Sequence, residues 1–138
     1  MYDVRMTDEV DEAGVAELRD AVNAFNFETT GYFDGRSLGC LVRDDHGDLI
    51  AGLDGFTWGG YGMIEWLWVR DDHRHAQLGS RLVVAAEQEA AARECRVMRV
   101  NTHTFQAPDF YARLGYEQFG AVADTPKGHG ELFLVKRL

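Results

Sequence analysis

The stretch Val69–Glu89, VRDDHRHAQLGSRLVVAAEQE, decides the fold. The apolar run Met63–Val69 ends in a charged turn, Arg70–Gln77, and Leu78 then opens a long segment rich in Ala and Glu with helical spacing. A buried strand that leads through a tight turn into a helix forms an anion site. The first N–H groups of a helix lack internal partners, and the helix dipole favours negative charge there. Because Arg74 adds a positive charge, the pattern predicts a pyrophosphate site.

Composition and charge narrow the class of protein. The 138 residues are 46% hydrophobic and 27% charged, which favours one globular domain over residues 1–138. A net charge of −9 argues against a nucleic-acid-binding protein, which needs a basic face. No apolar run approaches the ~20 residues that span a bilayer, and the acidic N-terminus lacks a secretory signal. With only two cysteines, the chain is expected to be cytoplasmic, without a membrane partner.

The N-terminal third predicts one strand, one helix and one loop. Tyr2–Met6 is a short strand candidate. Apolar residues recur three and four positions apart from Val15 to Phe25, which predicts a helix from about Asp11 to Asn26. Phe27–Ser37, with two glycines and three aromatic residues, reads as a loop. It is either a simple connector or a wall of a substrate site.

The middle of the chain predicts an antiparallel meander. Its strands are Leu38–Val42, Leu49–Trp58 and Met63–Val69, joined by turns rich in Asp and Gly. Gly52 and Gly55 are candidates for β-bulges in the second of these strands.

The remaining elements complete the predicted fold. A long helix, with Leu78, Leu82, Ala85 and Ala86 on its apolar face, comes first, and a short helix begins after Pro108 and stops at Gly115. The predicted ranges are helix 77–94, strand 96–104, helix 109–114, strand 116–121 and strand 131–136. The order β-α-β-β-β-α-β-α-β-β predicts an α/β (α+β) fold, a mixed, mostly antiparallel sheet of six to seven strands flanked by helices.

The loop in the opening stretch resembles the phosphate-binding signature of the GNAT superfamily of N-acetyltransferases, Arg/Gln-x-x-Gly-x-Gly/Ala. The corresponding residues are Arg74-His75-Ala76-Gln77-Leu78-Gly79, in which the arginine and the last glycine match. Gln77 stands where the first glycine is usual, and His75 where a small residue is common. Their side chains either keep the backbone further from a phosphate or donate hydrogen bonds to it.

A second segment strengthens the resemblance. The sequence Ala107–Tyr116, APDFYARLGY, is similar to the family's strand–helix–turn pattern A-x-x-F-Y-x-x-x-G-Y/F in both order and spacing. The two segments follow one another in the order of elements that the family shows. Together they imply a GNAT-like fold over essentially the whole chain.

The resemblance implies acetyl-coenzyme A as co-substrate. No metal is expected, because no cysteine or carboxylate set accompanies His73 and His75 at a ligand spacing. Backbone N–H groups of the loop would hold the pyrophosphate, and Asn101 and Thr104 would bind the pantetheine amides. A backbone N–H near Trp68 or Val69 would meet the thioester carbonyl oxygen as negative charge develops on it. The expected coenzyme-binding residues are Trp68, Val69, Arg74, His75, Ala76, Gln77, Leu78, Gly79, Ser80, Asn101 and Thr104.

Two residues are expected to be catalytic. Tyr111 stands where the family commonly places a tyrosine, and a phenol with a pKa of about 10 can donate a proton to the departing thiolate. The alternative is a core tyrosine. Glu65 interrupts an apolar strand and is the candidate base, because an amine must lose a proton before it attacks. The family also uses chains of water molecules, and a structural glutamate is the other alternative.

The expected reaction is direct attack by a primary amine of a small molecule in a ternary complex. Aromatic and polar residues would contact this acceptor, and His103 is both such a contact and a second base candidate, unless it is structural. Two alternatives stay open: an N-acetyltransferase acting on proteins or peptides, and a non-catalytic acyl-coenzyme A-binding module. Dimers are common in the family, which leaves a homodimer open. The expected substrate-binding residues are Phe27, Tyr32, Phe33 and His103.

Overall fold

The structure is a computed structural model that describes residues 1–138. Its backbone contacts group into two compact units, residues 1–33 and residues 34–138. The expected single domain over the whole chain therefore stays a prediction.

The first unit contains helix α1, Glu12–Thr30. Asp11 caps its N-terminus, where the carboxylate accepts a hydrogen bond from the Gly14 N–H at 2.9 Å. Gly31 ends the helix in the left-handed conformation, with φ of 76°. Because this glycine is the stop, α1 runs beyond the predicted end, and residues 27–30 at the start of the predicted loop are helical. The predicted strand Tyr2–Met6 is wrong, since these residues pair with no other strand. None of the helices in the chain is both long and apolar enough to cross a bilayer.

The second unit is built on a six-stranded sheet in the order β1-β2-β3-β4-β6-β5. All neighbouring strands are antiparallel except the β3–β4 pair, which is parallel. The predicted mixed, mostly antiparallel sheet is thus confirmed, with six strands. The strands are β1 Arg36–Arg43, β2 Leu49–Trp58, β3 Tyr61–Val69, β4 Val97–His103, β5 Glu117–Ala123 and β6 Gly130–Arg137.

Two helices of the second unit help to form its core. Helix α2, Leu78–Ala92, follows a 3₁₀ helix at Asp71–Ala76 and packs on β1, β2 and β3; helix α3 is Pro108–Arg113. Ala85, predicted for the apolar face of α2, is exposed because the buried stripe is centred one position away. The buried apolar residues of α2 are Leu82, Val83, Ala86 and Ala90.

The sheet has a helix-covered face and an opposite face, and strand alternation assigns side chains to each. On β4, Met98, Val100 and Thr102 are buried against the helices, so Asn101 and His103 point to the opposite face. On β6, the Lys136 side chain reaches helix α2, so even-numbered residues face the helices and odd-numbered ones the opposite face.

Candidate active site

A β-bulge in β3 shapes the site. Asp54 pairs with Trp66 and the next residue of β2, Gly55, pairs with Ile64, so Glu65 is the extra residue in β3. Glu65 and Trp66 are accordingly exposed in succession. Gly55 is required opposite the bulge, because a Cβ there would collide with the backbone of β3. The predicted irregularity at Gly55 is present, and the one at Gly52 is not.

Beyond the bulge, β3 and β4 separate. Their parallel pairing joins Tyr61–Ile64 to Val97–Val100 and then stops. The rest of β3 pairs only with β2, and the rest of β4 only with β6. A gap therefore opens in the middle of the sheet, between two strands that are each held by their outer neighbour.

Backbone groups of β3 face this gap. The Arg70 N–H donates to the Ile50 carbonyl oxygen of the β2 side at 2.8 Å. Because backbone groups alternate in direction along a strand, the Trp68 N–H also points to β2, whereas the groups of Leu67 and Val69 point into the gap. The Val69 carbonyl oxygen accepts a hydrogen bond from Arg74 Nε at 3.0 Å, which agrees with this direction.

The gap forms part of a cavity of about 1230 Å³. Its walls come from β3, β4, the start of α2, helix α3 and the loops between them. Among the lining residues are Met63 through Val69, Arg74, Gln77, Gly79, Ser80, Val100 through His103, Phe105, Gln106, Phe110, Tyr111, Arg113 and Glu131.

The N-terminus of α2 supplies free donors to the cavity. Gln77 precedes the helix in the left-handed conformation, with φ of 55°, where the family pattern usually has glycine. No side chain caps this helix end and its first turn has no acidic residue, so no side chain of the helix itself offsets the positive end of the dipole. The Ser80 hydroxyl donates to the Gln77 carbonyl oxygen at 2.9 Å, which stabilises the turn.

Arg74 and Gly79 lie beside these donors. The Arg74 guanidinium pairs with Asp71 at 2.7 Å and is also fixed to the backbone of β3. Gly79 faces Phe110 of α3, and an added Cβ would be at ordinary contact distance, 3.5 Å, from its ring. Three other predicted coenzyme-binding residues, His75, Ala76 and Leu78, are not among those lining the cavity.

Tyr111 is a buried phenol at the cavity wall. It is 7% exposed, and burial, the only cause of the shift, raises its pKa to about 12. Its hydroxyl is therefore protonated at neutral pH and available as a donor. Tyr116 differs, because its hydroxyl donates to Glu87 at 2.9 Å and it does not line the cavity.

The two predicted pantetheine contacts have different environments. Asn101 lines the cavity, and its Oδ1 atom is buried without a hydrogen-bond partner. Such an oxygen is costly unless a ligand N–H reaches it, so this residue fits an amide-containing coenzyme. Thr104 does not line the cavity; its hydroxyl accepts a hydrogen bond from the Gly130 N–H at 3.0 Å. Thr104 therefore has a structural contact, and its predicted contact with the coenzyme stays a prediction.

The face opposite the helices contributes acidic and aromatic side chains. Glu65 lies there at the bulge, with Trp66 beside it, 73% exposed. His103 stacks on Phe105 at 5.2 Å and is held by Gln106, whose Oε1 accepts from the His103 N–H at 2.8 Å.

Among the cavity residues that the sequence reasoning did not name, three offer charges or backbone groups to the site. Glu131 pairs in register with His103 and lines the cavity from β6. Arg113 follows Phe110 by one helical turn, and Leu67 offers backbone groups to the gap. The spacing within the short helix could have indicated Arg113, whereas Glu131 and Leu67 depend on strand order and on the bulge.

The predicted substrate contacts of the first unit form one aromatic pair. Phe27 lies in α1 and packs on Phe33, with ring centroids 5.6 Å apart. Tyr32 follows the C-terminal glycine of the helix. A role for these three residues in substrate binding stays a prediction.

Comparison with known proteins identifies the family. Residues 35–118 match the family model described as an acetyltransferase (GNAT) domain. The chain is 41% identical to blasticidin-S acetyltransferase of Streptomyces morookaense over 97 residues, which cover 68% of this chain and 70% of that protein.

Solved structures agree with the family model. A crystal structure of a protein from Agrobacterium tumefaciens assigned to the acetyltransferases has a TM-score of 0.91 at 27% identity and covers 99% of this chain and 100% of its own. A second structure that shares the fold is a Bacillus anthracis protein described as a streptothricin acetyltransferase, solved with acetyl coenzyme A. Its TM-score is 0.59 at 20% identity, and the match covers 67% of this chain and 58% of its own. The chain that contains the bulged strand, the gap beside it and the helix N-terminus thus belongs to the GNAT acetyltransferase family, and this protein is an acetyl-CoA-dependent acyltransferase.

Proposed function

We propose that the protein transfers an acetyl group from acetyl-coenzyme A to a primary amine of a small molecule, by direct attack in a ternary complex. One observation carries this proposal: the cavity has opposite charges on the two faces of the sheet. Arg113 and the positive end of α2, beside the Arg74–Asp71 ion pair, make the helix-covered face basic, and Glu65 and Glu131 make the opposite face acidic. An anionic donor suits the first face and a cationic acceptor the second.

The donor would run from the N-terminus of α2, on the helix-covered face, into the gap between β3 and β4, where Asn101 lines the cavity. Free N–H groups at the start of α2 suit the pyrophosphate, with Arg74 beside them. The unpartnered Asn101 oxygen would accept a hydrogen bond from a pantetheine amide. Arg113 adds a cation that no acidic side chain pairs with, and it suits a further phosphate of the coenzyme.

Backbone N–H groups of β3 would stabilise the acetyl oxygen. The Leu67 and Val69 N–H groups face the gap, and a donor already in place there needs no reorganisation as the oxygen gains negative charge. The sequence-based expectation named Trp68 or Val69. Strand alternation favours Val69 and adds Leu67 in place of Trp68.

Tyr111 and Glu65 would move the two protons. When the amine nitrogen bonds to the acetyl carbon and the C–S bond breaks, the departing thiolate needs a proton, which the protonated Tyr111 phenol would supply. The nitrogen sheds one more proton as it becomes an amide, and that proton would restore the Tyr111 phenol. Glu65 would remove a proton from the incoming ammonium group, directly or through water. Its place at the bulge puts the carboxylate on the face from which a cationic amine would enter.

The nature of the acceptor follows from the acidic face and from the named relatives. Blasticidin-S acetyltransferase, at 41% identity, is named for a small-molecule acceptor. Exposed aromatic side chains beside Glu65 suit a small organic cation. We further propose that the protein acts in the cytoplasm and that it forms a homodimer. Light scattering after gel filtration tests the homodimer.

Turnover measurements test the function. Purified protein is assayed for thiol release from acetyl-coenzyme A with blasticidin S, streptothricin, simple diamines and a lysine peptide. The proposal expects acetylation of a small amine and little transfer to the peptide. Preference for the peptide would favour a protein N-acetyltransferase. Binding of coenzyme A without turnover of any acceptor would favour the non-catalytic alternative.

A further inference from the structure

A buried carboxylate lies behind the site without touching the cavity. Glu87 is on α2, 9% exposed. Its two oxygens accept hydrogen bonds from the Tyr116 hydroxyl and from Lys136 Nζ, each at 2.9 Å. Burial first, and then the charge of Glu87, raise the pKa of Tyr116, so this phenol stays a donor. None of the three residues lines the cavity.

This cluster is linked to Tyr111 through Tyr116. The two tyrosine rings meet edge to face, with centroids 5.7 Å apart and planes at 77°. The Tyr116 N–H also donates to the Tyr111 carbonyl oxygen at 3.0 Å. Gly115 makes this turn with φ of 94°, and Lys136 arches over it, 3.4 Å from where a Cβ would lie.

Helix α3 needs such an anchor because it is short. It has six residues, Pro108–Arg113, and no side-chain cap at its N-terminus. A helix of this length is unstable by itself, so tertiary contacts set its orientation. Phe110 meets α2 near Gly79, and Tyr116 meets α2 at Glu87, so both anchors of α3 are on the helix whose N-terminus faces the cavity.

We propose that Glu87, acting through Tyr116 and balanced by Lys136, is a positioning residue that holds the Tyr111 hydroxyl in place relative to the N-terminus of α2. This inference rests on the role proposed above for Tyr111. It makes the phosphate-binding helix and the proton donor parts of one connected unit.

The directionality of its hydrogen bonds distinguishes the cluster of Glu87, Tyr116 and Lys136 from ordinary apolar packing. A buried ion pair contributes little net stability compared with apolar side chains of the same size. The hydrogen bond from the Tyr116 hydroxyl to Glu87, however, restrains the Tyr116 ring, and that ring packs edge to face on Tyr111. Positioning therefore accounts for a buried charge that stability alone does not require.

The kinetic test uses Tyr116→Phe and Glu87→Gln, alone and combined with Tyr111→Phe. Each single variant is expected to lower kcat by roughly 10- to 100-fold, since a displacement of about 1 Å costs a catalytic group up to that much. The KM for acetyl-coenzyme A should stay within about twofold, because the coenzyme contacts are intact. In the Tyr111→Phe background the same changes should have no further effect on kcat. Losses that multiply in the double variants would overturn the proposal.

A matched control removes a part-buried hydrogen bond at the C-terminal end of α2. Thr57→Val deletes the hydroxyl that accepts from Arg93 at the C-terminal end of the helix, at 3.0 Å. This variant should lose stability and keep the wild-type kcat. An equal fall of kcat in Thr57→Val would mean that general loosening of α2, and not the Glu87 cluster, explains the effect.

A second readout is independent of turnover. Selective ¹³C labelling of tyrosine rings, with Tyr111→Phe to assign its signal, reports the environment of this ring in each variant. Tyr116→Phe and Glu87→Gln should shift or broaden the Tyr111 signal, while Thr57→Val leaves it in place. An unchanged signal would overturn the positioning role. If the wild type acetylates no amine, the proposed function fails, and the ring signals still decide the inference.

Discussion

Replacing Tyr111 with phenylalanine should reduce the loss of stability at alkaline pH. Tyr111 is 7% exposed, and burial raises its pKa from 10.0 to about 12. Below a pH of about 10 the phenol is protonated in the folded and the unfolded chain, so it adds no pH dependence. Between about pH 10 and 12 the unfolded chain loses a proton that the folded chain keeps. The free energy of unfolding therefore falls as the pH rises.

The size of this fall follows from the shift. A shift of about two units, at about 1.36 kcal/mol each, limits the loss to about 2.7 kcal/mol well above pH 12. At about pH 11, roughly nine-tenths of the unfolded phenol is ionised and roughly one-tenth of the folded one. The loss at that pH is then about 1.4 kcal/mol.

Urea unfolding at about pH 8 and about pH 11 measures the effect. The stability difference between wild type and Tyr111→Phe should move by about 1.4 kcal/mol in favour of the variant at the higher pH. Tyr2→Phe removes a hydroxyl from a 96% exposed side chain and is the matched control. A difference between wild type and Tyr111→Phe that is equal at both pH values would refute the reasoning.

Three further changes test the site and the bulge. Asn101→Leu should weaken coenzyme A binding by about fivefold, because one hydrogen bond is worth about 1 kcal/mol, and it should not destabilise the free protein. Titration calorimetry, with Thr104→Val as control, measures the affinity, and an unchanged affinity would count against the contact. Gln77→Gly should strengthen coenzyme A binding. It should change the free energy of unfolding by less than about 1 kcal/mol, since relief of left-handed strain offsets the added entropy of the unfolded chain. Weaker binding would mean that the Gln77 side chain itself holds the phosphate. Gly55→Ala should lower the free energy of unfolding by more than about 2 kcal/mol, because the new Cβ clashes with β3. The control Gly35→Ala, whose Cβ would make an ordinary contact at 3.7 Å, should lose far less stability in thermal unfolding. Equal losses would argue against the bulge.

Local patterns predicted the elements whose ends carry their own signals. The bounds of β2 agree with the sequence-based range Leu49–Trp58, because turns rich in Asp and Gly flank it. The short helix α3 was predicted from Pro108 and Gly115, and Gly115 has the positive φ that the stop requires. The turn before α2 was placed correctly, and Gln77 occupies the left-handed position where the family pattern has glycine, while its phosphate-binding role stays a prediction.

Long-range pairing decided what the sequence left open. Tyr2–Met6 has strand-like composition, but no neighbour pairs with it. The extra residue of the bulge, Glu65, is recognisable only once Asp54 and Gly55 are placed opposite it. Glu87 lies in an Ala-rich helix, where a glutamate usually meets solvent, and its burial depends on partners 29 and 49 residues further along the chain.

A crystal structure with acetyl-coenzyme A bound tests the central claim most directly. The account predicts the pyrophosphate at the N-terminus of α2 and the thioester in the gap between β3 and β4. The acetyl oxygen should lie about 3 Å from the Leu67 or Val69 N–H, with the sulfur within hydrogen-bonding reach of the Tyr111 hydroxyl. A thioester outside the gap, or a Tyr111 hydroxyl turned away from the sulfur, would contradict it.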